Sequence, residues 1–403
     1  MGEPVHGITA TSDGERCWGP KQVKKMTEVK ATMRQRARAI GIATAIALLT
    51  ASIAGTGTSV AAKAPAEFYG VVPQTHLTAN DFERMGTGKV GSVRLIMNWA
   101  AIDPTQQGDY DWSSFDPLVL EAATNGIQVL PFVYGTPAWV ASGIDNQNCN
   151  GGKCGAYAPK GSAALAEWST FLTAAVERYG PDGEFWATHP EVPNEPIVDW
   201  QLWNEQNSKT FFAPKPSAKA YVKLLKAGHD AIAQADPGAD VILGGMAELA
   251  GSRKAIPGSE YLEQLYNVRG VKNYFEAVAL HPYGATIAKV SSQVETYRKV
   301  IKQAGDSGAG MYVTEVGAGS ASGGNSLNRG TKGQASLLKE IYKYFTKKRR
   351  SFNVEQVDWF SWQDSAQSIC SWCASSGLLT ESGKAKPSYK AFTKLTGGNS
   401  GKH

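Results

Sequence analysis

The chain is poor in cysteine and in unbalanced charge, and each shortage narrows what it does. Of 403 residues only five are cysteine, and Cys17 lies in the N-terminal stretch. The other four form two close pairs, Cys149 with Cys154 and Cys370 with Cys373. Cys370-Ser371-Trp372-Cys373 has the spacing of half a zinc knuckle, but Cys149 and Cys154 are too far apart for the usual other half, which argues against a four-cysteine metal site. Most of the formal net charge of +5 resides in the N-terminus. Residues 1–62 hold eight Lys/Arg and four Asp/Glu, so the remainder has 33 basic against 32 acidic residues and a net charge of +1. That balance gives no electrostatic footprint for nucleic acid. Beyond the leader there is no internal repeat and no low-complexity segment. No glycine-rich phosphate loop follows the first strand candidate, which disfavours an open dinucleotide-binding sheet.

What is present begins with a leader. The basic stretch Met33-Arg34-Gln35-Arg36-Ala37-Arg38 precedes an uncharged run from Ala39 to Ala62 that is apolar from Ile40 to Ile53 and small and polar thereafter. This is the order of a secretory signal peptide, with cleavage expected near Ala61 or Ala62. An uncleaved membrane anchor is the alternative, since a span needs roughly 20 apolar residues, but Gly55, Thr56, Gly57, Thr58 and Ser59 dilute the second half. Residues ahead of Met26 or Met33 read as an upstream extension. The expected division is therefore an extension and signal over 1–62, a catalytic domain over 63–397 and a flexible tail over 398–403. In an oxidising compartment the four remaining cysteines should form two disulfides. Three connectivities are open, and proximity favours Cys149–Cys154 with Cys370–Cys373.

From Phe68 onward, β-rich runs alternate with segments of helical period. Strands are predicted at Phe68–Val72, Ser92–Asn98, Gln128–Tyr134, Val198–Trp203, Asp240–Leu243, Ala277–His281, Met311–Thr314 and Gln356–Trp362. Between them, Trp168, Phe171, Leu172, Ala175, Val176 and Tyr179 share one helical face, as do Tyr221, Leu224, Leu225, Gly228 and Ile232. Alternation of this kind implies parallel strands joined by right-handed crossovers. Eight such units predict an α/β protein, a single (β/α)₈ TIM barrel. The longest insertion, about Ser142 to Gly161, follows the third strand and belongs on the rim where barrel loops converge.

Two of these runs end in a glutamate: Trp200-Gln201-Leu202-Trp203-Asn204-Glu205 and Met311-Tyr312-Val313-Thr314-Glu315. Barrels place chemistry at the C-terminal ends of their strands, so Glu205 and Glu315 should face each other across the mouth. A facing carboxyl pair is what acid/base cleavage of a glycosidic bond requires. Alternation along Val93-Arg94-Leu95-Ile96-Met97-Asn98 turns Arg94, Ile96 and Asn98 to one face. An arginine inside a barrel needs a carboxylate partner, and Glu315 is the candidate. Asn194-Glu195 repeats the asparagine–glutamate pair but lies before its strand, between Pro193 and Pro196, and belongs on the opposite face. Glu248 after the fifth strand is on the correct rim.

The set formed by Asn204-Glu205, His281-Pro282-Tyr283, Glu315 and Trp362 at the ends of strands four, six, seven and eight resembles that of clan A retaining glycoside hydrolases, over about Phe68 to Leu395. Tyr110-Asp111-Trp112-Ser113-Ser114-Phe115-Asp116 and Tyr134-Gly135-Thr136-Pro137-Ala138-Trp139 resemble family 39 more than families 5 and 42. The resemblance implies that Glu205 is the acid/base, that Glu315 is the nucleophile bonded to Arg94, and that His281 and Tyr283 contact that nucleophile. Substrate contacts are expected from Asn98, Trp99, Trp139, Asn204, Trp362 and Asp364, and Trp203 should flank and desolvate Glu205. No metal or cofactor is expected, and the expected partner is a carbohydrate, with no nucleic acid and no protein partner implied. Family 39 xylosidases carry a C-terminal β-sandwich, and no accessory sandwich is expected in residues 363–403. A non-catalytic glycan-binding barrel and a transglycosylase using the same residues are the alternative readings.

Overall fold

The computed structural model describes residues 64–401 apart from 107, 142–153, 250 and 369. The apolar leader run and Cys149 therefore lie outside the described residues, as does most of the insertion after the third strand. Contacts divide the chain into Met1–Ala62 and Lys63–His403, and the description below concerns the second unit.

Eight strands, β1 (Tyr69–Val72), β2 (Ser92–Asn98), β3 (Gln128–Tyr134), β4 (Asp199–Asn204), β5 (Asp240–Ala247), β6 (Ala277–His281), β7 (Gly310–Val316) and β8 (Val354–Phe360), form a closed barrel. Every neighbouring pair is parallel, including β1 with β8. Both faces of such strands are covered, which explains their nearly continuous apolar sequences. A helix follows each strand: α1 (Ala79–Thr87), α2 (Asp116–Thr124), α3 (Gly161–Tyr179), α4 (Ala218–Ala235), α5 (Gly258–Tyr266), α6 (Ile287–Gln303), α7 (Gly330–Phe352) and α8 (Pro387–Thr396). The chain is thus a (β/α)₈ TIM barrel.

The helices carry their stop and start signals in sequence. Ser217 caps α4, its Oγ accepting from the Ala220 N–H at 3.3 Å, and Asn353 ends α7 in the left-handed region at φ 53°. The two predicted apolar faces, on α3 and α4, are buried against the barrel wall. Inside the barrel, Leu130, Ile242, Ala277, Ala279 and Tyr312 form a separate small plug. That plug closes the floor, and the polar inward residues lie towards the C-terminal ends of the strands.

Three strands have the predicted limits and three of the others shift by one or two residues at one or both ends. The larger differences are at β5 and β8. β5 runs on through Gly244 and Gly245 to Ala247, because small residues are needed there. A Cβ on Gly244 would stand 2.2 Å from Gln206 Oε1, and one on Gly245 would stand 2.1 Å from His281 Nε2. β8 starts and stops two residues early, at Val354 and Phe360, so Trp362 is past the strand rather than at its end.

Candidate active site

Arg94 organises the barrel mouth. It is fully buried in the middle of β2, and all three of its nitrogens donate. Nε bonds Gln201 Oε1 at 2.6 Å, one terminal nitrogen bonds Glu315 Oε1 at 2.7 Å and the other bonds Asn204 Oδ1 at 2.7 Å. Its guanidinium also lies 4.0 Å from the centre of the Phe132 ring, a stacking that the planar cation favours. A bond from each nitrogen, one of them to a carboxylate, is what makes a buried charge tolerable.

Glu315, near the end of β7, receives a second bond from the Tyr283 hydroxyl, 2.6 Å to Oε2. Burial alone would raise its carboxyl. The electrostatic interaction with His281, the Arg94 charge and the Tyr283 and Arg94 hydrogen bonds outweigh that and hold it below the usual carboxylate value. Tyr283 in turn is pushed well above the ordinary phenol value by burial and by the Glu315 charge, so it remains a donor.

The acid side is built by an irregular strand end. Trp203 has φ 78° and Glu205 φ 41°, a conformation that L side chains rarely adopt. The register of β4 on β5 is nonetheless continuous from Leu202 to Asn204. Leu202 packs outward against Gly228, and Trp203 also leaves the barrel, its ring meeting Tyr134, Trp168 and Phe212. Two successive outward residues let Asn204 reach Arg94. Trp203 therefore does not flank Glu205 as a desolvating wall; its Nε1 bonds Phe211 O at 2.7 Å.

His281, expected at the nucleophile, is bonded to the other glutamate. Its Nδ1 is 3.0 Å from Glu205 Oε1 and 3.6 Å from Glu315 Oε2, and its Nε2 is 3.1 Å from Thr314 Oγ1. The ring fits only because position 245 is glycine. Glu205, His281 and Glu315 each present one atom within 4.8 Å of the others, residue types that a metal would accept. Arg94 and Tyr283 already engage both oxygens of Glu315, so the trio is built around a fixed positive charge.

Residues 202–392 match the Glycosyl hydrolase catalytic core family model.

That match includes Glu205, His281, Tyr283 and Glu315. Among solved structures the chain is similar to a family 39 glycoside hydrolase from Bacteroides cellulosilyticus WH2, at 19% identity over 83% of this chain and 64% of that one, with a TM-score of 0.57. It is also similar to a family 39 enzyme from Xanthomonas axonopodis pv. citri, at 16% identity, 84% and 68% coverage and a TM-score of 0.60. A monomeric β-xylosidase from Caulobacter crescentus CB15 aligns at 18% identity, 83% and 69% coverage and a TM-score of 0.57. At these identities the likeness is one of fold, and the chain spans less than two thirds of the Bacteroides enzyme's length. No curated protein sequence matches.

Around the two glutamates, several expected substrate contacts prove structural. Trp99 is fully buried, bonded through Nε1 to Asp103 Oδ2 at 3.1 Å and packed on Phe171. Trp362 is likewise fully buried, with Nε1 on Asp81 Oδ1 at 2.9 Å and its ring edge-on to Tyr389. Neither offers a face to a sugar, because each follows its strand at a point where the chain has already turned outward. Asp364 is bonded to Lys386 Nζ at 2.6 Å and to the Gly377 N–H at 2.8 Å, which fastens the loop after β8 and leaves it no role at the reacting carbon. Glu248 accepts from the N–H and hydroxyl of Ser259 in the first turn of α5, and Glu195 is engaged with Gln128 at the start of β3. Trp139 is partly buried, its Nε1 on Asp103 O at 3.0 Å.

Other residues take the places the sequence did not assign. Phe360, the last residue of β8, and Trp372 stand beside Tyr283, with ring centres 6.3 Å and 4.9 Å from it. Trp372 lies within the Cys370–Cys373 disulfide, which formed as proximity suggested. A signal for Phe360 was available, since Gln356, Asp358 and Phe360 alternate onto the inner face. Ile96, although apolar, is 46% exposed. With Asn98, Tyr134, Tyr157, Lys209 and Thr210 it lines a cleft of about 510 Å³ beside the ends of β2, β3 and β4.

Below the mouth, Asp358 is fully buried. Gln356 Nε2 donates to its Oδ1 at 2.7 Å, while Oδ2 has no hydrogen-bond partner. Burial pushes this carboxyl up to about 8, against the Gln356 bond and the Arg94 charge and with the help of the Glu315 charge. Only glycine fits opposite it, because a Cβ on Gly70 would lie 1.7 Å from Asp358 Oδ1.

Proposed function

We propose that the protein is a secreted, retaining glycoside hydrolase that cleaves O-glycosidic bonds of an oligo- or polysaccharide by double displacement. One observation carries the reading: carboxylate oxygens of Glu205 and Glu315 lie within 4.8 Å of each other. Retaining enzymes separate their two carboxyl groups by about 5–5.5 Å, whereas inverting enzymes need about 6.5–9.5 Å to admit a water. The separation of this pair supports the shorter range and hence retention.

In the first step Glu315 attacks the anomeric carbon while Glu205 gives its proton to the departing oxygen. The C–O bond breaks and a glycosyl–Glu315 ester forms. In the second step Glu205, now ionised, takes a proton from water, and the resulting hydroxide displaces Glu315. Arg94 and Tyr283 keep Glu315 ionised and fix both its oxygens. Asn204 Oδ1 is held by Arg94, which leaves the amide N–H₂ to donate to the hydroxyl beside the reacting carbon. The Caulobacter neighbour is described as a β-xylosidase, and an equatorial pentoside or hexoside suits the same stereochemistry.

The test is intact-mass spectrometry after incubation with a panel of activated 2-deoxy-2-fluoro glycosides, which accumulate the glycosyl-enzyme. One adduct mapping to Glu315 is expected, and its sugar names the preferred glycone. A folded protein that forms no adduct and releases product of inverted configuration would overturn the reading. Export rests on the basic segment before an apolar run, together with the Cys370–Cys373 disulfide. The exported protein should begin near residue 62 or 63 by N-terminal sequencing, and retention of residues 40–53 would instead make it membrane-anchored.

A further inference from the structure

The hydrogen bonds around Arg94 have a direction, and it can be followed across the barrel. A guanidinium donates and never accepts, so the oxygen of Gln201, not its nitrogen, faces Arg94 Nε at 2.6 Å. The Gln201 amide N–H₂ must then point the other way, to Leu243 O at 3.1 Å and Thr314 Oγ1 at 3.3 Å. Thr314 is fully buried and accepts from Gln201, so its own hydroxyl proton needs an acceptor. His281 Nε2, 3.1 Å away, is the acceptor within reach. If Nε2 accepts, the ring proton sits on Nδ1, which then donates to Glu205 Oε1 at 3.0 Å. A Glu205 oxygen that already receives a hydrogen bond is the wrong one to carry the acidic proton.

We propose that Thr314 is a positioning residue for acid catalysis: it fixes His281 as the Nδ1–H tautomer and so leaves the transferable proton of Glu205 on Oε2. The role rests on the glycosidase reading for its consequence but not for its geometry. Arg94 thereby acts on both carboxyl groups, directly on Glu315 and through Gln201, Thr314 and His281 on Glu205. The relay visits β2, β4, β7 and β6 before returning to the end of β4. No proton travels along it during turnover, because its function is to choose which oxygen of Glu205 is the acid. The donated proton goes from Oε2 to the leaving oxygen, and water restores it in the second step.

Thr314→Val removes the hydroxyl at nearly constant shape, and Thr314→Ser keeps it. General acid catalysis contributes about 10²–10⁴-fold, and a glycoside with a strongly activated leaving group needs little of it. Thr314→Val should therefore slow poor-leaving-group aryl glycosides by about 30-fold or more and dinitrophenyl glycosides by only about threefold, while Thr314→Ser stays near the wild type on both. ¹⁵N spectra of histidine-labelled protein, with His281 assigned by its absence in His281→Gln, should show Nδ1–H in the wild type and loss of that single tautomer in Thr314→Val. Equal slowing of all leaving groups, or an Nε2–H ring in the wild type, would overturn the proposal. If the wild type turned over no glycoside at all, the function proposed above would fail while the spectrum still decided the tautomer.

Discussion

Asp358 offers the sharpest thermodynamic test of the barrel interior. Its carboxyl is raised from 3.8 to about 8 in the folded protein, first by burial. Between these values the native state keeps a proton that the unfolded chain has released. The group therefore contributes its full stability below about pH 4 and loses it as pH rises to about 8. Each tenfold of proton affinity is about 1.4 kcal/mol, so the whole span amounts to about 6 kcal/mol. Asp358→Asn does not titrate, and its amide oxygen can still accept from Gln356. Its amide N–H₂ would occupy the site where Oδ2 has no partner, a pH-independent cost of about 1–3 kcal/mol. Of the groups that face Asp358, Glu315 is held below the usual carboxylate value and Tyr342 is pushed well above the phenol value by burial. Urea unfolding of both proteins at pH 5, 6, 7 and 8 should show the wild type losing about 1.4 kcal/mol per pH unit relative to the variant. Parallel stability curves would refute the argument, because they would mean that Asp358 is ionised or hydrated in the native state.

Four further outcomes follow from the site. Arg94→Met should lower kcat by about 10²–10³-fold and, by releasing Glu315 upward, move the acid limb of the pH–rate profile to higher pH; an unmoved limb would mean that Arg94 does not set the nucleophile's ionisation. Gly245→Ala would put a Cβ 2.1 Å from His281 Nε2, so the ring must shift and kcat should fall by at least about tenfold, as steady-state kinetics would show. Trp362→Phe deletes the bond to Asp81 and should cost about 1–3 kcal/mol in thermal denaturation with KM unchanged, whereas a raised KM would place Trp362 in the cleft after all. Replacing Cys370 and Cys373 with serine opens a loop spanning only three positions, so the loss of stability should be small. KM should rise several-fold as Trp372 loosens from Tyr283, and equal losses of stability and binding would contradict this.

The strand-end chemistry was legible because a barrel converts sequence order into position. Glu205, Glu315 and Arg94 could be placed at the mouth from alternation and strand ends, and Tyr283 from the family resemblance. What was not legible depended on where the chain leaves that alternation. Trp203 should point inward by simple alternation, but its positive φ turns it out and brings Asn204 to Arg94. The predicted β8 lies two residues too far along the chain, which puts Trp362 at the mouth, whereas Phe360 holds that place. Gln201 and Thr314 are ordinary polar residues whose importance lies in which neighbour can donate and which can accept, and this appears only once Arg94 is known to be buried. Gly245 carries no chemistry of its own; its meaning is the volume that His281 occupies.

The conformation of Trp203 carries a consequence for anyone who would alter this protein. A bulky residue at φ 78° is held in a costly backbone state, typically by about 1–3 kcal/mol, and what holds it is the aromatic layer between the barrel and α3. The aim of the acid is thus encoded in residues that no sugar touches. A mutant library confined to the cleft would sample specificity and leave that aim intact. Repacking Trp168 or Phe212 for heat resistance, by contrast, would retune catalysis from behind, through the peptide bond that joins an outward tryptophan to an inward asparagine.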